Sequence, residues 1–469
     1  MIASTLCIIK RSSSISHLIP GPRDLWFLPL GGTGEIGMNL NLFGHAGQWL
    51  MVDCGVTFKE PLQPQQSGLA SSETFDVVSA DPAFIVEHKE HLAGIVITHA
   101  HEDHVGAIPY LWQRFQVPIY TTAFTAEVLR RKLAQTKLAD KVPIVVVNTG
   151  DTQKIGVFEV QWLAITHSIP EPHGMVIKTP AGTIFHTADW KIDNNPVLGK
   201  GFQSRPFKRM GEKNMTAMVC DSTNALRPGH SVSESECYAG LKQLINEASG
   251  RVVVSCFSSN VARLLTLGRI AKETGRYMAL LGRSLQNMVS IARSTGYWDE
   301  SIPLAEQRHI GYLPREEILA VATGSQGEPR AAMQRLANDS YRDLNLDKGD
   351  RVIFSSMIIP GNEEPIENLV KALKAKGFDV FQAHETELPI HASGHPCQEE
   401  LKQMYSWVKP QIAIPVHGEA EHIASSAAIA KECGVPVQMA GLNGDLYVLA
   451  PEPAIRRQAV RTGRIPLVQ

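Results

Sequence analysis

The sequence lacks the features that would place it in a membrane or stabilise it with disulfides. No run approaches the roughly 18 consecutive apolar residues that a membrane-crossing helix needs. The cysteines are few and scattered: Cys7, Cys54, Cys220, Cys237, Cys256, Cys397 and Cys433, an odd number with no C-x-x-C pair. They read as buried thiols of a reducing cytoplasm and exclude a disulfide frame. An excess of charge of one sign is missing too. The formal net charge is −2, which argues against a protein that coats polyanions and leaves room only for a local basic groove. There is no internal repeat and no low-complexity segment. With 43% hydrophobic and 20% charged residues, disorder is not expected.

What is present is a long alternation of apolar runs and turn signals. Residues 1–22 read as an N-terminal extension, serine-rich and basic with no acid before Asp24, a transit peptide being the other reading. DLWFLPL and NLNLFG flank a glycine cluster, and QWLMVDCG is an apolar run that ends in Asp53. AGIVIT, PIVVV, VQWLAIT and GMVIKT read as strands, the last turning at Pro180, Ala181 and Gly182 into TIFHTADW as an antiparallel hairpin. Past TAMVCDSTNA the rhythm changes. Ser233 and Glu236 form a capping-box pattern before a helix, and strands then alternate with helices, the pattern of a parallel α/β unit. Short strands return after residue 378, and the chain closes on RRQAVRTGRIPLVQ, a basic and weakly patterned tail. A β-rich host interrupted by an α/β insertion explains that order, with boundaries at 23–222, 223–377 and 378–450 and a tail over 451–469.

The stretch ITHAHEDHVGAIPYL, residues 97 to 111, crowds His99, His101, Asp103 and His104 onto one turn. Val105, Ile108, Leu111, Trp112 and Phe115 then recur at helical spacing, so the donors sit between a buried strand and an amphipathic helix. Imidazole nitrogens and a carboxylate suit zinc or manganese. His99 and His101, two apart, point the same way from an extended segment, while Asp103 and His104 curl towards a second ion. A lone His-x-His is more often a solvated turn; the full H-x-H-x-D-H pattern in this setting seldom is. His167, Asp189, Asp221 and His417 share one local grammar, a polar residue at the end of an apolar run. Asp189 has a further attraction, because a carboxylate can bridge two cations. His173, His186 and His384 have no comparable placement and are read as structural.

Gly32, Gly34 and Gly37 match G-x-G-x-x-G, but the next residues alternate like a strand where a dinucleotide site requires a helix. They are read as a tight turn between strands near the active site. GSQGEP and HASGH are polar glycine turns whose N–H groups could hold an anion.

Taken in order, LPLGGTGEIGMN, MVDCGVTF, ITHAHEDHVGAIPYL, AITHSIPEP, CDSTNA, ATGSQGEP, IPGNE, HASGH and PVHGE resemble bacterial ribonuclease J. That family has an α/β architecture, a metallo-β-lactamase αββα sandwich with an inserted parallel α/β β-CASP domain. The resemblance implies two Zn²⁺ ions, with Mn²⁺ as an alternative. His99, His101, His167 and Asp189 would hold one, and Asp103, His104, Asp189 and His417 the other. Asp103 would also align the attacking water, Asp53 and Asp221 would orient ligands, and His395 would help the leaving group depart. His391, Ala392, Ser393, Gly394 and His395 would contact an RNA phosphate, and Ser258, Ser259 and Asn260 would line a pocket for a 5′ monophosphate. His417 points to RNA over DNA. The implied activity is 5′→3′ exonucleolytic and endonucleolytic cleavage in RNA decay and maturation, with RNA, a second copy of the chain and RNA-decay proteins as partners. The family's small C-terminal domain is expected to be missing, and Met357 stands where a more polar residue is expected. Two rivals are another hydrolase on the same host fold, which the long insertion between Asp221 and His391 disfavours, and an RNA-binding subunit without full activity.

Overall fold

The computed structural model describes residues 18–58, 77–359 and 361–467. Most of the N-terminal extension lies outside the described residues.

The host is built from two facing sheets. One has eight strands in the order Ala454–Arg456, Leu446–Ala450, Leu25–Gly31, Leu40–His45, Gln48–Val52, Leu92–Val96, Ile119–Thr121 and Ile144–Val146. The other has seven, in the order Val437–Gln438, Ile412–Val416, Ala217–Asp221, Gly182–His186, His173–Thr179, Phe158–Ala164 and Thr152–Ile155. Leu25, Phe27, Phe43 and Val96 of the first pack on Trp162, Ile177, Ile184 and Ile414 of the second. Trp26, Leu28 and Leu30 point the other way, onto the helix Ile108–Phe115. Because both faces are covered, LWFLPLG is buried throughout, a continuous apolar run with no alternation to read. The outer face of the second sheet carries the helices Arg205–Gly211, Gln398–Val408 and Ala420–Glu432. The layers are therefore αββα.

The insertion is a five-stranded, wholly parallel sheet in the order Tyr277–Leu281, Ile318–Ala322, Val252–Ser255, Arg351–Phe354 and Asp379–Gln382. Val252 and Val254 face one apolar cluster and Val253 the opposite one, so helices cover both sides. The first cluster runs on into the host through Ala100, Phe124, Val128 and Ile169, which seats the insertion against the strand-to-helix turn.

Three details differ from the sequence reading. The strand Asp379–Gln382 pairs with Arg351–Phe354, so the inserted sheet runs past residue 377. The weakly patterned tail is tied into two sheets: Ala454–Arg456 pairs with Leu446–Val448, and Arg464–Pro466 pairs with Val78–Ala80. Edge pairing uses backbone groups and needs no apolar alternation, which is why the tail looked unpatterned. The helix after the His/Asp stretch comes in two pieces, Glu102–Val105 and Ile108–Phe115. Pro109 lacks an N–H and fits a first turn, so a new helix starts there.

Candidate metal centre

Strand register brings the donors to one edge. Val52 pairs with Val96, which sets Asp53 beside Thr98 and the turn that follows. In the second sheet Ala164 pairs with His173, Met175 with His186, His186 with Val219, and Asp221 with Val416. His167, Asp189, Asp221 and His417 therefore emerge at the same rim. Three of the residues here have left-handed backbone, Asp53 at φ 65°, Ala188 at 53° and His417 at 53°. Non-glycine residues adopt that conformation at a cost, and such strain concentrates at functional sites.

Among the described residues the result is three donor sets sharing the Asp189 carboxylate: the two expected from the sequence, and a third that joins Asp189 and His417 to Asp221 and His395. His99, His101, His167 and Asp189 form the first; Asp103, His104, Asp189 and His417 form the second; in each, one donor atom per residue lies within 4.8 Å of the others. His101 Nδ1 is 3.0 Å from both His99 Nε2 and His167 Nε2. His104 Nε2 is 3.1 Å from Asp189 Oδ2, and His417 Nε2 is 3.1 Å from Asp103 Oδ2.

The tautomers suit a cation. His167 donates through Nδ1 to the Gly394 carbonyl at 2.6 Å, which leaves its Nε2 lone pair facing His101. A side chain at Gly394 could not fit, since a Cβ there would lie 2.4 Å from the His167 ring. His104 donates through Nδ1 to Asp53 Oδ2 at 2.7 Å and turns Nε2 inwards. Asp53 is itself held by the Thr98 amide and hydroxyl at 2.8 and 2.9 Å. These carboxylate and carbonyl contacts are the supports that metal-binding imidazoles use.

Electrostatics differ across the centre. Burial, reinforced by His104, His101 and His167, holds His99 well below its usual pKa. Burial also pushes His101 down to about 4 and lowers His167. Burial opposes charge on His104 as well, but Asp189, Asp103 and Asp53 outweigh it and raise that imidazole well above its usual value. His417 is raised in the same way, against burial, by Asp189 and by hydrogen bonds to Asp103 and Asp221.

The side chain of His99 is 0% exposed, whereas Asp103 is 28% and His395 17% exposed, so the open mouth lies on the side of those two. His395 Nδ1 lies 2.8 Å from Asp221 Oδ2. Burial works against charge on His395, and Asp221 overcomes it, raising the pKa above the ordinary value.

The expected substrate contacts are spread more widely. His391 lines a cavity of about 380 Å³ at the carboxyl end of the inserted sheet, together with Arg227, Ser325, Ser356, Met357 and His384. His384, read as structural, thus faces that cavity. Ser393 accepts from Asn224, and Ala392 is packed in the apolar cluster that joins insertion to host. Ser258 and Ser259 lie in the loop after Val252–Ser255, while Asn260 caps the next helix by accepting from the Arg263 amide at 2.9 Å. None of these three is among the cavity-lining residues. His186 lies behind the cluster beside His104 and Asp189, and His173 bonds Thr149 and Glu171.

Sequence reasoning missed Thr223 and Asn39. Thr223 Oγ1 is 2.8 Å from His417 Nδ1, and Asn39 Nδ2 donates to the Asp103 carbonyl at 3.1 Å. The one available signal was adjacency, since Thr223 follows Asp221 by two residues and Asn39 closes the glycine turn. That turn behaves as expected: Gly32, Gly34 and Gly37 have φ of 84°, 84° and 91°, and the Gly37 amide points at His417 Nε2 from 3.3 Å.

Known proteins share this layout. The metallo-beta-lactamase superfamily matches residues 38–210, the ribonuclease J beta-CASP domain residues 249–373, and the Zn-dependent metallo-hydrolase RNA specificity domain residues 389–440. A ribonuclease J of Sinorhizobium meliloti is 42% identical over 459 residues, covering 97% of this chain and 79% of the relative. The chain belongs to the ribonuclease J family. As a ribonuclease J family member it is a metal-dependent ribonuclease with an inserted β-CASP domain, and its His/Asp cluster is compatible with a metal site. A ribonuclease J of Mycolicibacterium smegmatis is 37% identical over 418 residues, covering 88% of this chain and 72% of that one. In fold alone, a crystal structure of an Enterococcus faecalis protein of unknown function is similar, with TM-score 0.63 at 16% identity, covering 91% of this chain and 100% of that chain.

Proposed function

We propose that this chain hydrolyses RNA phosphodiesters with two zinc ions, manganese serving as well, as a 5′→3′ exonuclease on 5′-monophosphorylated RNA that also cuts internally. The observation that carries the reading is the pair of four-donor sets meeting at Asp189. Nitrogen-rich sets of this kind suit zinc and tolerate manganese. His99, His101, His167 and Asp189 would hold one ion and Asp103, His104, Asp189 and His417 the other. When bound, such a pair lowers the pKa of water and offsets the phosphate charge.

The protein's own groups supply the rest. Asp103, at the open mouth, accepts a hydrogen bond from the attacking water and aligns it. His395, whose pKa Asp221 raises against burial, donates a proton to the departing 3′ oxygen. Thr223 and Asp53 hold His417 and His104 in place. The cavity edged by His391 and Ser356 receives the 5′ end, with Ser258 and Ser259 in the neighbouring loop. The setting proposed is RNA decay and maturation in the cytoplasm, as a homodimer with further RNA-decay partners. No helix among the described residues is long and apolar enough to cross a membrane.

The test is digestion of end-labelled RNA with Zn²⁺ or Mn²⁺, together with metal content per chain. The expected result is two ions per chain and faster loss of 5′-monophosphorylated than of 5′-triphosphorylated RNA. Equal rates remove the 5′-end pocket from the reading; no cleavage with either metal leaves an RNA-binding subunit in its place.

A further inference from the structure

Arg263 is fully buried, at 0% exposure, in the first turn of the helix Val261–Glu273. Its guanidinium is shared among segments far apart in the chain. Nε and Nη2 grip both oxygens of Glu234 at 2.6 and 3.1 Å, on the segment by which the chain enters the insertion. Nη1 donates to the Ile390 carbonyl at 2.9 Å, on the segment by which it returns, and to the Ser355 carbonyl at 3.1 Å. Nη1 also donates to the Ser355 hydroxyl, which in turn donates to the Ile390 carbonyl at 2.6 Å.

The immediate neighbours of these partners are what give the arrangement its meaning. Ser356, next to Ser355, and His391, next to Ile390, are both in the cavity wall. Three residues past His391, the Gly394 carbonyl fixes the His167 imidazole, and His395 pairs with Asp221. The backbone amide of Arg263 anchors Asn260, the last residue of the Ser258–Asn260 loop. One planar cation therefore ties the cavity wall to the loop that orients a ligand of the hydrolytic centre. Stability alone is a weak reason for such a group, because buried ion pairs are often no better than apolar side chains of the same volume. Holding several carbonyl oxygens in fixed directions is what a five-donor fork does and an apolar residue cannot.

We infer that Arg263 is a positioning residue, with Glu234 and Ser355 as its supports, that fixes the spacing between the 5′-end cavity and the hydrolytic centre and so sets the preference for 5′-monophosphorylated RNA. This rests on the proposed 5′-end reading of the cavity. Ser355 is 1% exposed and is not among the cavity-lining residues, so a loss there acts through the clamp.

The test compares the wild-type protein with Ser355→Ala and Arg263→Lys on one RNA bearing either a 5′ monophosphate or a 5′ hydroxyl. Hydrolysis of bis(p-nitrophenyl) phosphate, which has no 5′ nucleotide to seat, and metal content are measured alongside. The expected result is a roughly five- to tenfold fall in the monophosphate-to-hydroxyl ratio, the loss of about one hydrogen bond, carried by KM. Turnover of the small diester and metal content stay at wild-type levels. If Arg263→Lys does not fold, Ser355→Ala, which removes a single hydroxyl, carries the test. An unchanged ratio in folded variants of a wild-type protein that does discriminate overturns this inference alone. A wild-type protein without any preference overturns both it and the 5′-end reading.

Discussion

The host and the insertion bury polar groups in opposite ways. At the host rim His99, His104, Asp189, Asp221 and His417 are all buried within one cluster, and much of their charge faces other members of it. In the insertion the central buried cation, Arg263, is satisfied by Glu234, Ser355, Ile390 and the Cys237 sulfur. A cluster with lone pairs converging on shared space is arranged for an outside ion; a satisfied pair is arranged to hold a shape. In the proposed reading the host is the seat of the chemistry, and the insertion is the frame that presents a substrate to it.

Substitutions in each region should separate those roles. His99→Ala removes a donor from the first set and is expected to abolish RNA hydrolysis while leaving the far-ultraviolet circular dichroism of the metal-free protein intact; chelation should abolish activity in the same way. An active His99→Ala protein would erase the distinction. Arg263→Met strands Glu234 in the interior and should destabilise the protein by about 3–5 kcal/mol in urea denaturation. A stability equal to wild type would mean that the pair holds no shape.

A smaller effect is expected for Asp53→Asn, which weakens the support of His104 without removing a donor. Metal affinity, measured by competition with a chelator, should fall about 10- to 100-fold. The smallest effect concerns pH. Burial, with Arg263, Lys191 and Arg227 nearby, pushes His391 down to about 3 from the ordinary 6.5. The unfolded chain therefore takes up a proton at His391 below pH 6.5 that the folded chain refuses until about pH 3. Its contribution to stability is complete above the ordinary value and is lost as the solution is acidified through that window. The slope should be on the order of 1 kcal/mol per pH unit. His391→Gln should flatten it in urea titrations of the metal-free protein at pH 4.5 and 6.5, buffers chosen at roughly the middle and top of the window.

Much of the site was legible because its residues follow a local rule. Each of His167, Asp189, Asp221 and His417 stands at or just past the end of an apolar run, and strands of one sheet end together. His99, His101, Asp103 and His104 were legible because their spacing is improbable for a solvated turn. Thr223 and Asn39 were not, since hydroxyls and amides are common on turns and only their partners distinguish them. Nothing in the sequence sets Arg263 or Lys191 apart from surface cations; only the fold encloses them. The Asp379–Gln382 strand was assigned to the wrong sheet because a short run carries no mark of its neighbour.

The chain's own order of residues determined which side chains can bind a cation, where strands stop, and that an α/β unit interrupts a β-rich host. Those are matters of donor chemistry and of short-range periodicity. The tertiary structure alone decided that Gly394 touches His167 across 227 positions and that Asp189 stands in all three donor sets. It also decided that one guanidinium joins the entry and return of the insertion. Contacts of that kind depend on strand register and on how layers stack, quantities that arise only when distant segments share a core.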